Sequence, residues 1–585
     1  MKISLAGPSY AAKSVVAAAQ ETINWYPETL AVGDEPRRQT LIGRPGLKLF
    51  ATLTPAKIRC LWAGGGRLFA IHGNKQSEIS QGGVPTAATQ TVAENTGIFP
   101  DPAQIFSNGH QLMIVSGGLV YVNNGAGPVP ARFTLSGLVD TNGTTSVSWQ
   151  SSLTTPETSD VFTPAMVGQP ITIGDGTYTV ATFITNAAIT TTTAVPLGNN
   201  LPYSVPRSGD QVTGVTGGFL DGYGVVNRPP NAPGPGMAAS RRRLSRSGKA
   251  VEPDDPGRQF NISALYDFSV WDPLDFGVKE GHADYIRSIL CDHEELWLLG
   301  TETTEIWSNV GDPNFPFQRM GGAYIHEGSV STYAPCTVGL AVCALAGSPN
   351  GQTVAYRAQG LQPRRISTYA QEQAWNAPGF NARDAVSYSY LDAGHLFWVV
   401  NFWAQQQTWV YDVTENLWHQ RYAYNPTTHV FTRYQPWYHV FVPEWGQGGK
   451  HIVGDPATGK LYEQSLDFYD DDGAVIQYIR TFPHLLDEDK NLFHHRLELL
   501  METGTVVDPN PEMLIALDWS NDRGHTFPTG RTVTQTSGPP GNFTKRIVWR
   551  RLGRSRDRVY RIGVQGKGKV ALTDAFLEAT PSEIA

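Results

Sequence analysis

Short strand-like runs that end in an aromatic residue and turn on Gly or Asp recur along this chain, and they restrict its fold more than any other feature. One lies at 58–72, where Gly64-Gly65-Gly66 leads into Arg67-Leu68-Phe69-Ala70-Ile71. Another sets Leu112-Met113-Ile114-Val115 and Leu119-Val120-Tyr121-Val122 on either side of Gly117-Gly118. Leu296-Trp297-Leu298-Leu299-Gly300 precedes Thr304-Glu305-Ile306-Trp307, and Leu396-Phe397-Trp398-Val399-Val400 precedes Thr408-Trp409-Val410-Tyr411-Asp412 and Leu417-Trp418-His419. His451-Ile452-Val453-Gly454-Asp455 leads through Thr458-Gly459-Lys460 to Leu461-Tyr462-Glu463. Each pattern predicts a pair of short strands with a tight turn. A small sheet can bury its faces only against a neighbour, so weak serial repeats of this kind predict the blades of a β-propeller. A plain series of β-sandwiches is the alternative architecture.

Composition agrees with an all-β chain: 60 Gly, 40 Pro, 15 Trp, 23 Tyr and 24 Phe favour turns and strands, and long Ala/Leu/Glu/Lys runs are missing. At 585 residues, with about 150 per domain, two to four units are expected. From Asn142 to about Ser204 the chain turns rich in Thr, Ser, Val and Ile and almost free of basic residues. There Val167-Gly168-Gln169-Pro170-Ile171-Thr172-Ile173 and Thr177-Tyr178-Thr179-Val180 alternate as a small β-barrel or sandwich would. The expected organisation is an extended N-terminal segment at 1–47, a split propeller at 48–140 and 215–480, an inserted β domain at 141–214, and a sandwich or last blade at 481–585. An irregular stretch at 227–255 carries Arg241, Arg242, Arg243, Arg246 and Lys249 and reads as a loop.

The C-terminal region holds two further patterns. Ser520-Asn521-Asp522-Arg523-Gly524-His525-Thr526-Phe527 has Asp-box spacing, in which a short carboxylate bonds its own turn and a glycine takes positive φ. Ser520, Asp522, Gly524 and Thr526 are the structural members. Lys545-Arg546-Ile547-Val548-Trp549-Arg550-Arg551-Leu552-Gly553-Arg554 alternates as a strand with one buried and one charged face.

Chemistry is sparse. No Walker loop, HExxH or GxSxG motif occurs, so no catalytic residue, metal or cofactor is assigned. Asp467, Asp470, Asp471, Asp472 and Gly473 lack EF-hand spacing and read more simply as a hairpin turn, and His494-His495 reads as a neutral half-exposed pair at the head of a strand. Cys60, Cys291, Cys336 and Cys343 form no CxxC pair and read as buried free thiols. No apolar run approaches the roughly 18–20 residues that span a bilayer, and the first residues do not read as a secretory signal, so a soluble protein of a reducing compartment is expected. The formal charge of −8 argues against general nucleic-acid binding. The Asp box leaves a carbohydrate-active or glycan-binding propeller of sialidase type as the competing function.

Several segments together resemble one family. They are Asn24-Trp25-Tyr26-Pro27-Glu28, Pro45-Gly46-Leu47, Trp271-Asp272-Pro273-Leu274-Asp275-Phe276, Asp284-Tyr285-Ile286, the 296–307 pair, the run 311–328 and 545–553. In order and spacing they resemble the packaged-DNA stabilisation proteins, the tail hub or nozzle proteins of short-tailed double-stranded-DNA phages. The resemblance implies a virion tail component assembled in the host cytoplasm. It implies a propeller subunit, six of which form a homohexameric ring below the portal-adaptor protein. Such a ring extends the channel for passing double-stranded DNA, helps retain the genome, and carries tail fibres or tailspikes and a plug or needle protein. DNA contact in such a lumen would be non-specific and made by scattered basic side chains. Arg241, Arg242, Arg243, Arg246, Lys249, Arg550, Arg551 and Arg554 are then candidates for the lumen or an interface, and Trp271, Trp307 and Trp549 for interface anchors. The inserted domain and the Arg-rich loop depart from the family pattern.

Overall fold

The computed structural model describes all residues except 1, 4, 6, 31–37, 96–99, 150–161, 163, 186, 231–255, 273–274, 348–351, 489, 508–511, 529–531 and 582–585. The basic loop residues Arg241, Arg242, Arg243, Arg246 and Lys249 lie outside the described residues. Strands dominate, and the α-helix of the described residues is one short element, Tyr369–Trp375, opened by a Thr368/Gln371 capping box. The chain divides into two compact units, Met1–Gly73 with Ser77–Thr86 and Val330–Ala585, and Asn74–Gln76 with Ala87–Ser329.

In the second unit, three four-stranded antiparallel sheets are built as meanders. They comprise Gln104–Ser107 to Pro128–Pro130, Gly217–Leu220 to Phe276–Val278, and Ile286–Asp292 to Phe317–Ile325. The turn between Ser116 and Leu119 uses Gly117 and Gly118 at φ 60° and 83°, the two positive-φ positions that a tight hairpin requires. Between the first two of these sheets the chain makes a closed six-stranded barrel. Arg132–Thr141 pairs with both Ser146–Trp149 and Gly198–Gln211, and the circuit runs on through Pro170–Ile173, Gly176–Thr185 and Ala188–Thr191 back to Ser146–Trp149. Closure leaves no free edge. The barrel has its own core of Val139, Val147, Phe162, Met166, Ile171, Ile173, Val180, Ile189, Val195, Tyr203 and Val205. It begins ten residues before the change in composition at Asn142, because its first strand comes from the less Thr-rich flank.

The first unit holds the sheets Cys336–Thr337 to Gln362–Arg365, Val386–Asp392 to Leu417–Arg421, and Tyr438–Val442 to Lys460–Ser465. The last is completed by Gly46–Thr52, whose Leu47, Lys48 and Leu49 register with Gln464, Glu463 and Tyr462. A further meander runs from Ile58–Gly64 to Pro85–Thr91, and the division between the units passes through it. Seven four-stranded sheets thus succeed one another, and the chain's early strand closes the last of them.

The same unit ends in a β-sandwich. One sheet is ordered Trp25–Leu30, Arg38–Gly43, Ala571–Pro581, Leu492–Met501, Ile547–Arg550; the other runs Gln477–Thr481, Asp557–Gln565, Leu514–Ser520, Val533–Thr536. Leu41, Leu497, Leu499, Ile515, Leu517, Trp549, Tyr560, Ile562 and Leu577 fill the space between. Residues 1–47 are therefore not an extended segment apart from the fold. Lys2–Ile3, Thr22–Ile23 and Arg38–Gly43 pair with C-terminal strands, and Trp25–Leu30 pairs in turn with Arg38–Gly43. Strand edges left unpaired invite association, and these residues and the C-terminal strands cover each other's edges.

Candidate functional site

The chain segments that enter and leave the propeller meet at a buried clasp. Arg44, 2 % exposed, donates from Nη1 and Nη2 to the two carboxylate oxygens of Asp471 at 2.9 and 2.6 Å. Its Nε donates to Asn24 Oδ1 at 2.9 Å, and its remaining donors reach the carbonyls of Pro45 and Tyr422. Asn24 adopts φ 63° and donates through Nδ2 to the carbonyls of Tyr422 and Gln477. Arg480 works similarly without a carboxylate. It is buried, and it donates to the carbonyl of Leu5 at 2.7 Å, to Thr22 Oγ1 at 2.7 Å and to Gln20 Oε1 at 2.8 Å; burial pushes its pKa down to about 9. Planar guanidinium groups suit this task because five donors in one plane can meet several strands at once.

The acidic run 467–473 is a hairpin between Asp470–Asp471 and Ala474–Val475, with Asp472 and Gly473 at φ 51° and 90°. Three of its four carboxylates are engaged: Asp470 with Lys567 at 2.9 Å, Asp472 with Lys460 at 3.3 Å, and Asp471 with Arg44.

The Asp box lies in the sandwich, after Leu514–Ser520. Asp522 accepts from the Thr526 backbone N–H at 2.9 Å and from the Thr526 hydroxyl at 2.6 Å, and the Ser520 hydroxyl donates to it as well. The buried Ser520 oxygen accepts from Gly524 N–H at 2.9 Å, and Gly524 sits at φ 87°. Hydrogen bonds from Ser520 and Thr526 hold the Asp522 carboxyl well below the usual carboxylate range. All of these bonds stay within the turn, so the box sets local backbone geometry.

The predicted aromatic anchors need correction. Trp271 is fully buried, its Nε1 donating to the Phe268 carbonyl at 2.7 Å, and it packs with Met113, Val115, Phe133 and Phe268. Trp549 is 2 % exposed and donates to the Val533 carbonyl at 3.1 Å inside the sandwich core. Neither can anchor a partner, because the protomer already covers the ring and satisfies its N–H. Trp307 is half-buried, edge-on to Phe260 at 5.3 Å, with its Nε1 donating to Glu305. His494 and His495 are likewise not an equivalent half-exposed pair. Strand alternation buries His494 beside Ser555 and turns His495 outward to Thr580, and burial pushes the His494 pKa down to about 3.

What the sandwich does present is one outward sheet face, with Phe543 beside it in the turn before Ile547–Arg550. Phe543 is 71 % exposed, Phe576 41 %, Leu500 40 % and Phe493 39 %. Leu500 and Phe543 line a hollow of about 490 Å³ with Thr40, Glu502 and Thr573. On the same face Arg546 forms a bidentate pair with Glu498, 2.7 Å for each bond, and Arg496 reaches Glu578 at 3.4 Å. The Arg546 bonds lower the Glu498 pKa. Arg550, Arg551 and Arg554 are exposed; Arg550 pairs across from Arg496 and Arg554 across from Phe493. The sequence marked the arginines of this face, but not its phenylalanines, whose exposure depends on strand pairings some eighty residues apart.

Comparisons with known proteins bear on this arrangement. The model described as "Bacteriophage P22 Gp10, beta-propeller" matches residues 245–468, and "Bacteriophage P22 Gp10, beta-sandwich" matches residues 477–580. No curated protein matches. Among solved structures, the Neurospora crassa Pan2 WD40 domain is 7 % identical at TM-score 0.35, with 72 % of this chain and 95 % of that chain covered. The N-terminal domain of Nup159 is 9 % identical at TM-score 0.35, covering 77 % and 99 %. Scores this low carry no argument beyond themselves. The two family models follow each other as the propeller sheets and the sandwich do here. The chain belongs to the phage P22 Gp10 family of packaged-DNA stabilisation proteins, structural components of the virion built from a β-propeller and a β-sandwich.

Proposed function

We propose that this protein is a ring-forming tail hub or nozzle subunit, most simply a homohexamer, that continues the DNA channel below the portal-adaptor. It retains packaged DNA and anchors fibres or spikes, and it turns over no substrate. The observation that carries the reading is the outward sandwich face, with Phe493, Leu500, Phe543 and Phe576 beside Arg546, Arg550, Arg551 and Arg554. Exposed aromatics with arginines are the composition of protein interfaces, and the exposed Arg550, Arg551 and Arg554 offer donors to a partner. A clasped propeller suits a part that bears load: Arg44 and Arg480 tie N-terminal residues to segments that follow the last propeller sheet. The net charge of −8 suits a lumen that lets DNA slide.

Omitting this protein from assembling particles tests the reading. Particles that package DNA, lack the lower tail and then leak the genome are the expected result. Particles that retain DNA and a complete tail, and fail only at cleaving a host glycan, would overturn it in favour of a glycan-active propeller. Mixing the purified protein with its portal-adaptor and imaging by negative stain checks the six-fold ring directly.

A further inference from the structure

The sheet Val386–Asp392 to Leu417–Arg421 carries a buried positive charge that forms no direct ion pair among the described residues. Arg421, at the end of its last strand, is fully buried. Its Nη1 donates to the Tyr390 hydroxyl at 2.5 Å, and its guanidinium lies 5.0 Å from the Phe397 ring centroid and 5.5 Å from that of Tyr390. Among the described residues, its Nε and Nη2 meet no acceptor. Nearby carboxylates are committed elsewhere. Asp412 holds His395 at 2.7 Å and Asp471 holds Arg44 at 2.6 Å; Asp392 makes no ion pair with Arg421 among the described residues, and burial raises its pKa against the opposing pull of the His451 and Arg421 charges. His419, two residues earlier on the strand, is kept neutral by burial and by the charge of Arg421.

Besides Tyr390, two further phenol hydroxyls stand close enough to this guanidinium to interact with its charge. The Tyr388 and Tyr434 hydroxyls are buried and unpartnered among the described residues, and burial keeps the phenols of Tyr388 and Tyr390 protonated. A buried guanidinium without a counter-charge is strongly unfavourable, and cation–π contact with two rings offsets only part of that cost. What it lacks is a directly bonded negative charge. A phosphate carries too much charge for this site, and among the described residues no carboxylate bonds to Arg421 Nε or Nη2. A monatomic anion accepts hydrogen bonds from any direction and donates none, which suits two N–H and two O–H donors.

We propose that Arg421 Nε and Nη2, with the hydroxyls of Tyr388 and Tyr434, bind a chloride-sized monovalent anion inside the propeller. The anion neutralises the face that this sheet turns toward Tyr434 and His439, and it does so whatever the protein's place in the virion. Crystals of the full chain grown in sodium bromide test it by anomalous diffraction, with a bromide peak against Arg421 expected. In solution, the midpoint of thermal unfolding should rise with the logarithm of chloride concentration at constant ionic strength made up with gluconate, and Arg421→Leu should abolish that dependence. Water density without a bromide peak, together with identical melting in the two salts, would overturn the proposal. If Arg421→Leu does not fold, the bromide peak in the unaltered protein decides alone.

Discussion

Arg44 gives the sharpest test at the scale of single residues. All its donors are used, and its partner Asp471 has no other cation in bonding range among the described residues and is 5 % exposed. Arg44→Met strands a buried carboxylate, which should cost about 3–5 kcal/mol, measurable by denaturant unfolding. Combining it with Asp471→Leu should recover part of that loss. Asp522 makes a contrasting case, since its bonds are real but solvent-exposed. Asp522→Ala should cost only about 1 kcal/mol. Its folded pKa is depressed, so its contribution is present above the ordinary aspartate range and is lost as pH falls through the folded value. A variant whose acid limb of stability matches the unaltered protein would show that the turn bonds contribute nothing. Residue chemistry of this kind was half legible. Ser-x-Asp-x-Gly-x-Thr announces its own hydrogen bonds, whereas the Arg44–Asp471 pair joins positions 427 apart and no spacing rule reaches that far.

At the scale of elements, Gly46–Thr52 decides whether the last sheet closes. Gly46 sits so tightly that a Cβ would meet the carbonyl oxygens of Phe468 at 2.3 Å and Asp470 at 2.6 Å. Gly46→Ala must therefore displace backbone. It should destabilise by about 1–3 kcal/mol, and hydrogen exchange in Tyr438–Val442 to Lys460–Ser465 should rise before exchange elsewhere. Uniform exchange would mean that this strand opens only with the whole fold. Hairpins such as Leu112–Ser116 with Leu119–Asn123 are readable because two continuous apolar runs flank the glycines of the turn. The sheet Cys336–Thr337 to Gln362–Arg365 was not read, since Ala344, Ala346, Ala355 and Ala358 bury its strands with small residues and leave no aromatic signature.

At the scale of the whole molecule, the inserted barrel and the clasped ends make different demands. In the barrel, Thr134 and Pro206 are register partners, so its two ends are adjacent. Replacing residues 135–205 by a short Gly-Asn turn should leave the rest folded, with an unchanged circular-dichroism melt apart from the barrel's own contribution. Collapse of the whole fold would show that the barrel is structurally required. Deleting residues 1–23 should instead be severe, because it removes Thr22–Ile23 from its pairing with Ile479–Arg480 and strips the acceptors from buried Arg480. By itself the sequence determined the all-β class, the serial hairpins, the Asp-box turn and the family, since each is written in local alternation, turn residues or ordered motifs. Only the tertiary structure decided that the first strands complete the last sheet and the sandwich, that Trp271 and Trp549 are core rather than surface, and which phenylalanines face outward. Those outcomes depend on pairings tens to hundreds of residues apart, where burial is settled by which partner covers a side chain and not by the side chain itself.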